Sequence, residues 1–588
     1  MMPGSVRYGF RMENRIRCHS CKTAVRKVVL LILLAGLGGT ARAQDTIWVR
    51  RYAGTGSSED IPSVIAMDST GKIYVTGESY GQGNAGFDFV TIQYDPQGDS
   101  LWVRRWDGPG NGDDHPQAVA LDRAGNVYVT GWTGEGGIYY NYETIKYRPN
   151  GDTVWSRSYD GPSGSDDYGR ALVLDRQGSP VVTGWSYVIG SNSSFDIVTL
   201  KYDTNGTLLD SADYNGPGHS YDRPNAMIRD DSDQVYIIGE SSDPATGYDY
   251  ITLKYDPQLQ LLWERRYTGL GGNRDDIGRS IARGSSGSLY VSGYSFNDTS
   301  VYAFATLRYS PSGDTQWVRR YHHPSTGSNY VTAMALDRSE NIYVTGYAVI
   351  PTSPPQTDYL TVKYDSSGNL LWARTYDGSW SGADEANAIA VDPQGNAFVT
   401  GQSQGTGGSY DFATLLYDPD GAKRWEARYD GGIAGDDKAT AVALDGQGCL
   451  YVTGGSWGSG SGTDYVTIKY LPTVGVEAGE GPRSLARAPE IRILPNPMRE
   501  QCVILYSSSG EENQKLVIYD VMGRAVRSLA PRSLSKRSGD PGSSGRLALR
   551  EYLWDGRDGS GKPLPSGVYF CRVNAGERGS TKRITLIR

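Results

Sequence analysis

Cysteine is scarce: five in 588 residues, of which Cys18 and Cys21 fall in the first 43. The three that follow, Cys449, Cys502 and Cys571, are too few for a disulfide scaffold. Cys502 and Cys571 fall in one C-terminal stretch and could pair if their strands lie adjacent. Histidine is equally thin, with His115, His219, His322 and His323 the only ones after residue 43. No H-E-x-x-H, paired C-x-x-C or EF-hand loop occurs beyond that point, which argues against the common metalloenzyme and calcium motifs. No apolar run approaches the roughly 20 residues needed to span a bilayer; Val28–Leu37 is about half that. Positive charge is short as well. The chain carries a formal −8, and residues 44–482 alone about −24. That excludes nucleic acid or an anionic membrane as the main partner of this body.

What the sequence has in abundance is glycine (76), tyrosine (42) and tryptophan (13), against 9 phenylalanines. Aromatic and β-branched residues suit a pleated, half-buried surface. Asn126-Val-Tyr-Val-Thr-Gly131 has seven echoes, whose closing glycines are Gly77, Gly131, Gly184, Gly239, Gly293, Gly346, Gly401 and Gly454. Successive spacings of 53 to 55 residues mark a repeat architecture of strand-rich units. One unit reads Ala118–Asp122, Val127–Thr130, Tyr142–Tyr147 and Trp155–Tyr159 with turns between them, the four strands of one propeller blade. A threonine column (Thr91 to Thr467) and a tyrosine column (Tyr94 to Tyr470) recur in every unit, the tyrosines read as blade-to-blade packing with hydroxyls reaching a wetter edge. The outer strand's tryptophan stands at Trp48, Trp102, Trp155, Trp263, Trp317, Trp372 and Trp425, with Asp210 the departure. Trp48 precedes the first complete unit, and nothing equivalent follows Tyr470. The expected fold is therefore all-β: an eight-bladed propeller whose last blade borrows Thr46–Tyr52, closing an edge that would otherwise invite aggregation.

The ends differ from this body. Residues 1–43 read as a signal peptide, with Arg26-Lys27 before the apolar run and Ala41-Arg42-Ala43 as the cleavage site; Met12 is an alternative start. Cys18-His-Ser-Cys21 has zinc-knuckle spacing inside this segment and is read as chance. The propeller spans 44–471, a polar linker 472–489 and a basic second domain 490–588. Strands are expected at Ile491–Leu494, Val503–Tyr506, Leu516–Tyr519, Val568–Val573 and Ile584–Ile587, with a Ser/Gly-rich insertion at 531–546, as a small Ig-like β-sandwich.

Three patterns are candidates for chemistry. Gly77–Gly81, Gly401–Gly405 and Gly454–Gly458 match G-x-S-x-G, but each follows a β-strand at one repeat position, with no helix and no shared histidine column. Gly556–Lys562 begins like a phosphate loop, yet Pro563 stands at the Ser/Thr place. An acidic column, Asp60, Asp114, Asp167, Asp222, Asp276, Asp384 and Asp437 (Asn329 in the remaining unit), stands eight residues before the end of each unit's first-strand phrase. A second, Asp88, Asn141, Asp196, Asp249, Asp358, Asp411 and Asp464, opens the third strand. Two readings stand: a carboxylate-rich channel mouth for Ca²⁺ or a cationic ligand, or aspartates that cap turns by accepting backbone N–H bonds. Aromatics of the variable loops, Tyr80, Trp132, Tyr139, Trp185, Tyr187 and Trp457, could stack on sugar rings or cover blade edges.

The unit Ala-x-Ala-Leu-Asp…Gly-Asn-x-Tyr-Val-Thr-Gly…Asp-Tyr-x-Thr-x-Lys-Tyr-Asp…Gly-Asp-x-x-Trp resembles the secreted bacterial β-propeller (SBBP) repeat family over about residues 45–470. The resemblance implies an exported or surface propeller of a Gram-negative-type bacterium with no generic catalytic assignment. Pro495-Asn-Pro497, Ile518–Gly523, Trp554–Asp558, Ser566–Tyr569 and Lys582–Arg588 resemble the Ig-like C-terminal sorting domain of type IX secretion cargo, related to that of hook-capping proteins. This implies export through that machinery, with the tail removed or anchored. The functional expectation is a non-enzymatic binding or scaffold protein for a protein or glycan ligand, without a cofactor. The rival class is a quinoprotein-like or carbohydrate-active propeller enzyme, because Asp-Pro-x-Gly-Asp-x-x-Trp resembles a tryptophan-docking motif in its Gly-to-Trp spacing.

Overall fold

The computed structural model describes residues 45–472, apart from 55–58, 82–85, 136–138, 190–193, 271–273, 298–300, 379, 381, 406, 433–434, 459 and 461. In the tail it describes 490–494, 501–508, 516–520, 524–530, 548–573 and 580–586. The signal-peptide reading, residues 473–489 of the linker and the insertion at 531–546 lie outside these. The chain divides into two compact units between Glu477 and Ala478. Among the described residues no helix is long and apolar enough to cross a membrane.

The first unit is eight four-stranded antiparallel sheets, each a blade with strands a to d in chain order. Blade 1 is Asp60–Met67, Ile73–Tyr80, Phe87–Tyr94 and Ser100–Trp106. Blade 8 is Asp437–Leu444, Leu450–Gly458, Gly462–Tyr470 and, as its outer strand, Thr46–Tyr52. Where the other blades have a covalent c–d turn, blade 8 has a split one: Leu471 N–H donates to the Asp45 carbonyl at 2.8 Å, and Trp425 of blade 7 donates to Asp45 Oδ2 at 2.9 Å.

The invariant glycine follows from a bulge. Strand a carries one extra residue in every blade, at Ser63, Gln117, Arg170, Asn225, Arg279, Thr332, Asn387 and Thr440. The bulge pushes a strand-a carbonyl toward strand b, so a Cβ on any closing glycine would sit 1.9–2.1 Å from that oxygen. Several extra residues then bridge to a neighbouring blade: Asn225 to Gly278 O, Thr332 to Ala386 O, Asn387 to Ala439 O and, across the seam, Thr440 to Pro62 O. In seven blades the threonine column forms buried hydroxyl pairs between strands b and c, Thr76–Thr91 through Thr453–Thr467 with Ser292 facing Thr306, at 2.9–3.1 Å; in blade 4 Ile238 faces Thr252 instead.

Tryptophan locks blade to blade. The indole N–H of Trp48, Trp102, Trp155, Trp317 and Trp372 donates to a carbonyl in the next blade's c–d turn, as in Trp48 to Pro96 (3.3 Å) and Trp102 to Pro149 (3.0 Å). An arginine two residues on donates from Nε to the turn glycine's carbonyl at 2.5–2.7 Å and lies over the indole. That glycine (Gly98, Gly151, Gly206, Gly313, Gly368 or Gly421) has φ between 79° and 87°, and a Cβ there would meet the ring at 2.7–3.0 Å. The tyrosine column packs on the same indoles at 5.4–6.4 Å between ring centres. These tyrosines are 1–4% exposed, so they sit in the interface rather than at a wet edge. Where Asp210 replaces tryptophan, the facing turn carries Leu259 instead of glycine, at φ 56° and 3% exposed, filling the space the indole leaves.

The second unit holds a three-stranded sheet, Glu490–Leu494, Cys502–Ser508 and Ala548–Trp554, and a four-stranded one of Ala525–Leu529, Leu516–Tyr519, Gly567–Val573 and Ser580–Leu586. Both contribute to one core around Trp554, Tyr552, Ile504, Ile518 and Ile584. Cys502 and Cys571 are buried free thiols on strands of different sheets, so the strand adjacency on which a pairing depended is not formed.

Candidate functional site

The first acidic column does not open to solvent. Asp60, Asp114, Asp167, Asp222, Asp276, Asp384 and Asp437 are 0–1% exposed. Each carboxylate accepts the N–H of the glycine in the loop before it, Gly54, Gly108, Gly161, Gly216, Gly269, Gly378 or Gly431, at 2.5–2.7 Å. Asn329 does the same for His323 N–H. The ring of carboxylates read as a channel mouth is thus a set of buried caps, one per blade junction. Burial pushes Asp114, Asp167 and Asp222 up to about 6.

The second column pairs with arginines of strand d: Asp464 with Arg51 at 2.7 Å, Asp249 with Arg266 at 3.0 Å, Asp411 with Arg428 at 2.8 Å, and Asp88 with Arg105. The G-x-S-x-G serines serve these arginines. Ser79, Ser403 and Ser456 are fully buried and take guanidinium hydrogen bonds from Arg105, Arg428 and Arg51 at 2.6–2.7 Å. The columns meet in three groups whose carboxylate oxygens lie within 4.8 Å of one another: Asp88/Asp107/Asp114, Asp358/Asp377/Asp384 and Asp411/Asp430/Asp437. That spacing suits a hard cation. Arginine already serves the first and last groups. At the middle one Thr375 stands in the arginine's place, paired opposite Leu360 as Arg105 is opposite Val90. Burial, with Asp377 and Asp384 nearby, pushes Asp358 up to about 7.

The same end of the blades carries a band of aromatic rings. The second residue of strand a, the residue after the closing glycine in strand b and the opening residues of strand c meet there across blade junctions. His115 lies 5.8 Å from Phe87 and 5.3 Å from Trp132, and pairs with Glu78. Tyr168 contacts Trp132, Tyr140 and Phe195, and stacks on Trp185 at 5.2 Å and 29°. Tyr187 and Tyr221 flank Phe195. Arg223 lies over Trp185, Phe195 and Tyr221 at 5.2–5.9 Å. A second patch joins Tyr294, Tyr302, Tyr330 and Tyr347 at 5.0–5.4 Å. Of the loop aromatics picked out from the sequence, Trp132, Trp185 and Tyr187 join the band, Tyr80 packs on Phe87, and Tyr139 is exposed. Tyr168, Phe195, Arg223, Tyr294 and Tyr330 were missed, because their columns change residue type from blade to blade.

Beyond the band, at blades 7, 8 and 1, lies a cavity of about 620 Å³ lined by Glu59, Gln402, Asp436, Lys438, Gly455 and Trp457 among others. It exists because blade 8 has Gly455 where the other blades place Glu78, Trp132, Trp185, Glu240, Tyr294, Tyr347 and Gln402. A Cβ on Gly455 would meet the Thr463 methyl at 2.7 Å and no backbone atom. Trp457 forms one wall, 41% exposed, lying so close over Gly435 that a Cβ there would be 2.3 Å from the ring. Bulge residues Asn387 and Thr440 complete the polar lining. An exposed indole beside amide, carboxylate and ammonium groups in a cavity this size fits a small polar ligand with one apolar face.

No curated protein matches the chain. Among similar solved structures are PorZ, an essential bacterial surface component of the type-IX secretion system of Porphyromonas gingivalis (11% identity, 90% of this chain and 74% of that one, TM-score 0.30), and the WD40 domain of SCAP from fission yeast (9%, 72% and 98%, TM-score 0.40). A third is a levansucrase mutant of B. megaterium (10%, 45% and 87%, TM-score 0.27). Residues 102–139 and 381–408 match the family described as SBBP, beta-propeller repeat, and with eight four-stranded sheets the first unit is a β-propeller.

Proposed function

We propose that the propeller is a non-enzymatic binding module that holds a glycan at the blade end carrying the Gly455 cavity. The observation that carries this is Trp457, a half-exposed indole walling a cavity of about 620 Å³ that also presents Glu59, Gln402, Asp436 and Lys438 beside Ile61. A sugar ring has the matching form, with C–H groups on one face and hydroxyls at its rim. The buried, arginine-bound serines support binding without turnover, since none has a histidine partner among the described residues. Export to the outer surface, with the second unit as an Ig-like sorting domain, belongs to the same proposal and rests on the leader-like first 43 residues and the motifs near Trp554.

A glycan array with the full chain tests it. Binding to a defined set of oligosaccharides is expected, lost in Trp457→Ala and in Gly455→Tyr, with the sugars recovered intact. Binding that survives both substitutions overturns the assignment of the cavity, and sugar consumed during incubation overturns the non-enzymatic reading.

A further inference from the structure

In so acidic a body, three arginines on consecutive blades stand apart. Arg170 and Arg279 are the extra residues at the strand-a bulges of blades 3 and 5, and Arg223 is the second residue of strand a in blade 4. None makes an ion pair among the described residues, whereas Arg51, Arg105, Arg266 and Arg428 each hold a strand-c aspartate. Their hydrogen bonds go to neutral groups: Arg170 to Gln117 Oε1, and Arg279 to Asn225 Oδ1 at 3.3 Å and Tyr294 Oη at 3.2 Å. Arg223 lies over three rings, contacts that engage its charge and none of its donors, and its Nε is buried without a partner. Arg170 and Arg279 are close enough to repel, and burial holds Arg170 below the usual arginine range. Glu240 faces Arg279 and Arg223, and burial pushes it up. Three guanidinium groups thus gather around Glu240 beside the stacked rings of Tyr168, Trp185 and Phe195.

We infer that this cluster is an anion subsite and that the glycan is a carboxylate-bearing one, a polyuronate, whose sugar rings lie on the aromatic band while its carboxylates take the unused donors of Arg170, Arg223 and Arg279. The guanidinium fork matches a planar carboxylate, and the rings supply the apolar platform that the C–H face of a sugar requires. The inference rests on the glycan-binding reading and adds the ligand's charge and a second contact region, on blades 3 to 5, separate from the Gly455 cavity of blades 7, 8 and 1.

Isothermal titration of the full chain with oligogalacturonate, its methyl ester and a neutral cello-oligosaccharide tests it. The acid is expected to bind about tenfold to hundredfold tighter than the ester, as charge-assisted hydrogen bonds imply. That preference should shrink as salt is raised and collapse in Arg279→Gln and Arg223→Gln. Equal affinity for acid and ester in the wild-type chain overturns the anion subsite while leaving glycan binding standing. Absence of binding to all three sugars overturns the glycan reading and this inference with it. A preference for acid that persists in both variants places the anion site elsewhere and overturns the assignment of these residues. The wild-type comparison and its salt dependence decide the charge question even where a variant fails to fold.

Discussion

The junction of blades 3 and 4 predicts a specific non-additivity. Six junctions share a tryptophan over a turn glycine, and this one has Asp210 facing Leu259. Leu259→Gly removes a side chain that is 3% exposed, at about 3–5 kcal/mol for a large-to-small core change, and relieves a left-handed φ of 56° worth about 1 kcal/mol. The net expectation is a loss of about 2–4 kcal/mol. Asp210→Trp alone drives an indole against Leu259 and should cost about 1–3 kcal/mol by overpacking. Combined, the two changes rebuild the docking seen from Trp155 to Gly206, whose geometry leaves space for a ring and none for a Cβ. The double variant should be at least about 2 kcal/mol more stable than the sum of the singles predicts. Urea unfolding followed by both tryptophan fluorescence and far-UV circular dichroism measures this, two probes being needed because a ring of repeats need not unfold in one step. A double variant that falls within about 0.5 kcal/mol of the sum refutes the idea that Leu259 stands in for the missing indole.

Three further outcomes follow from the same geometry. Gly454→Ala should destabilise strongly, by about 3 kcal/mol or more, because its Cβ would lie 2.1 Å from the Lys438 carbonyl, while Gly455→Ala next to it, whose Cβ asks only the Thr463 side chain to shift, should cost clearly less; equal thermal shifts would contradict the bulge argument. Asp114, Asp167 and Asp222 are raised in the folded state to about 6, above their unfolded value, so folding takes up protons between about pH 4 and 6. The stability they contribute is complete below the unfolded value and lost as pH rises through the folded one, and the melting temperature is expected to fall from pH 5 to pH 7; a rise over that interval counts against the burial account. Thr375→Arg restores at Asp358 the partner that Asp88 has in Arg105, and should stabilise the chain at pH 8 more than at pH 5.5, which differential scanning fluorimetry at the two values will show or deny.

Much of the propeller was legible because its signals are local consequences of its geometry. The closing glycine reports a carbonyl pressed against strand b, and the tryptophan column reports a docking turn one blade on. Trp48 standing ahead of the first full unit was enough to place Thr46–Tyr52 in the last blade. The aspartate columns were legible in position, and capping was one of the two roles the sequence allowed; seeing the caps required burial and the glycine N–H groups. Two strands of the second unit, Ala525–Leu529 and Ala548–Trp554, escaped, since the first is short and polar and the second, Ala-Leu-Arg-Glu-Tyr-Leu-Trp, lacks a strict alternation. The aromatic band escaped for another reason. It is assembled from three columns on adjoining blades, each varying between units, and only their meeting gives them meaning. The cavity was hidden most deeply, being made by a side chain that Gly455 does not have.

The split turn between Asp45 and Leu471 bears on how the ring is made. The ribbon synthesised earliest pairs with one synthesised more than four hundred residues later, so it has no home until the chain has passed Tyr470. Seven sectors can assemble from neighbours as they emerge, but the circle stays a horseshoe, with a raw flank on Gly462–Tyr470, until its first segment returns. Annealing of that seam, rather than formation of any sector, is the step that long-range loop closure makes slow.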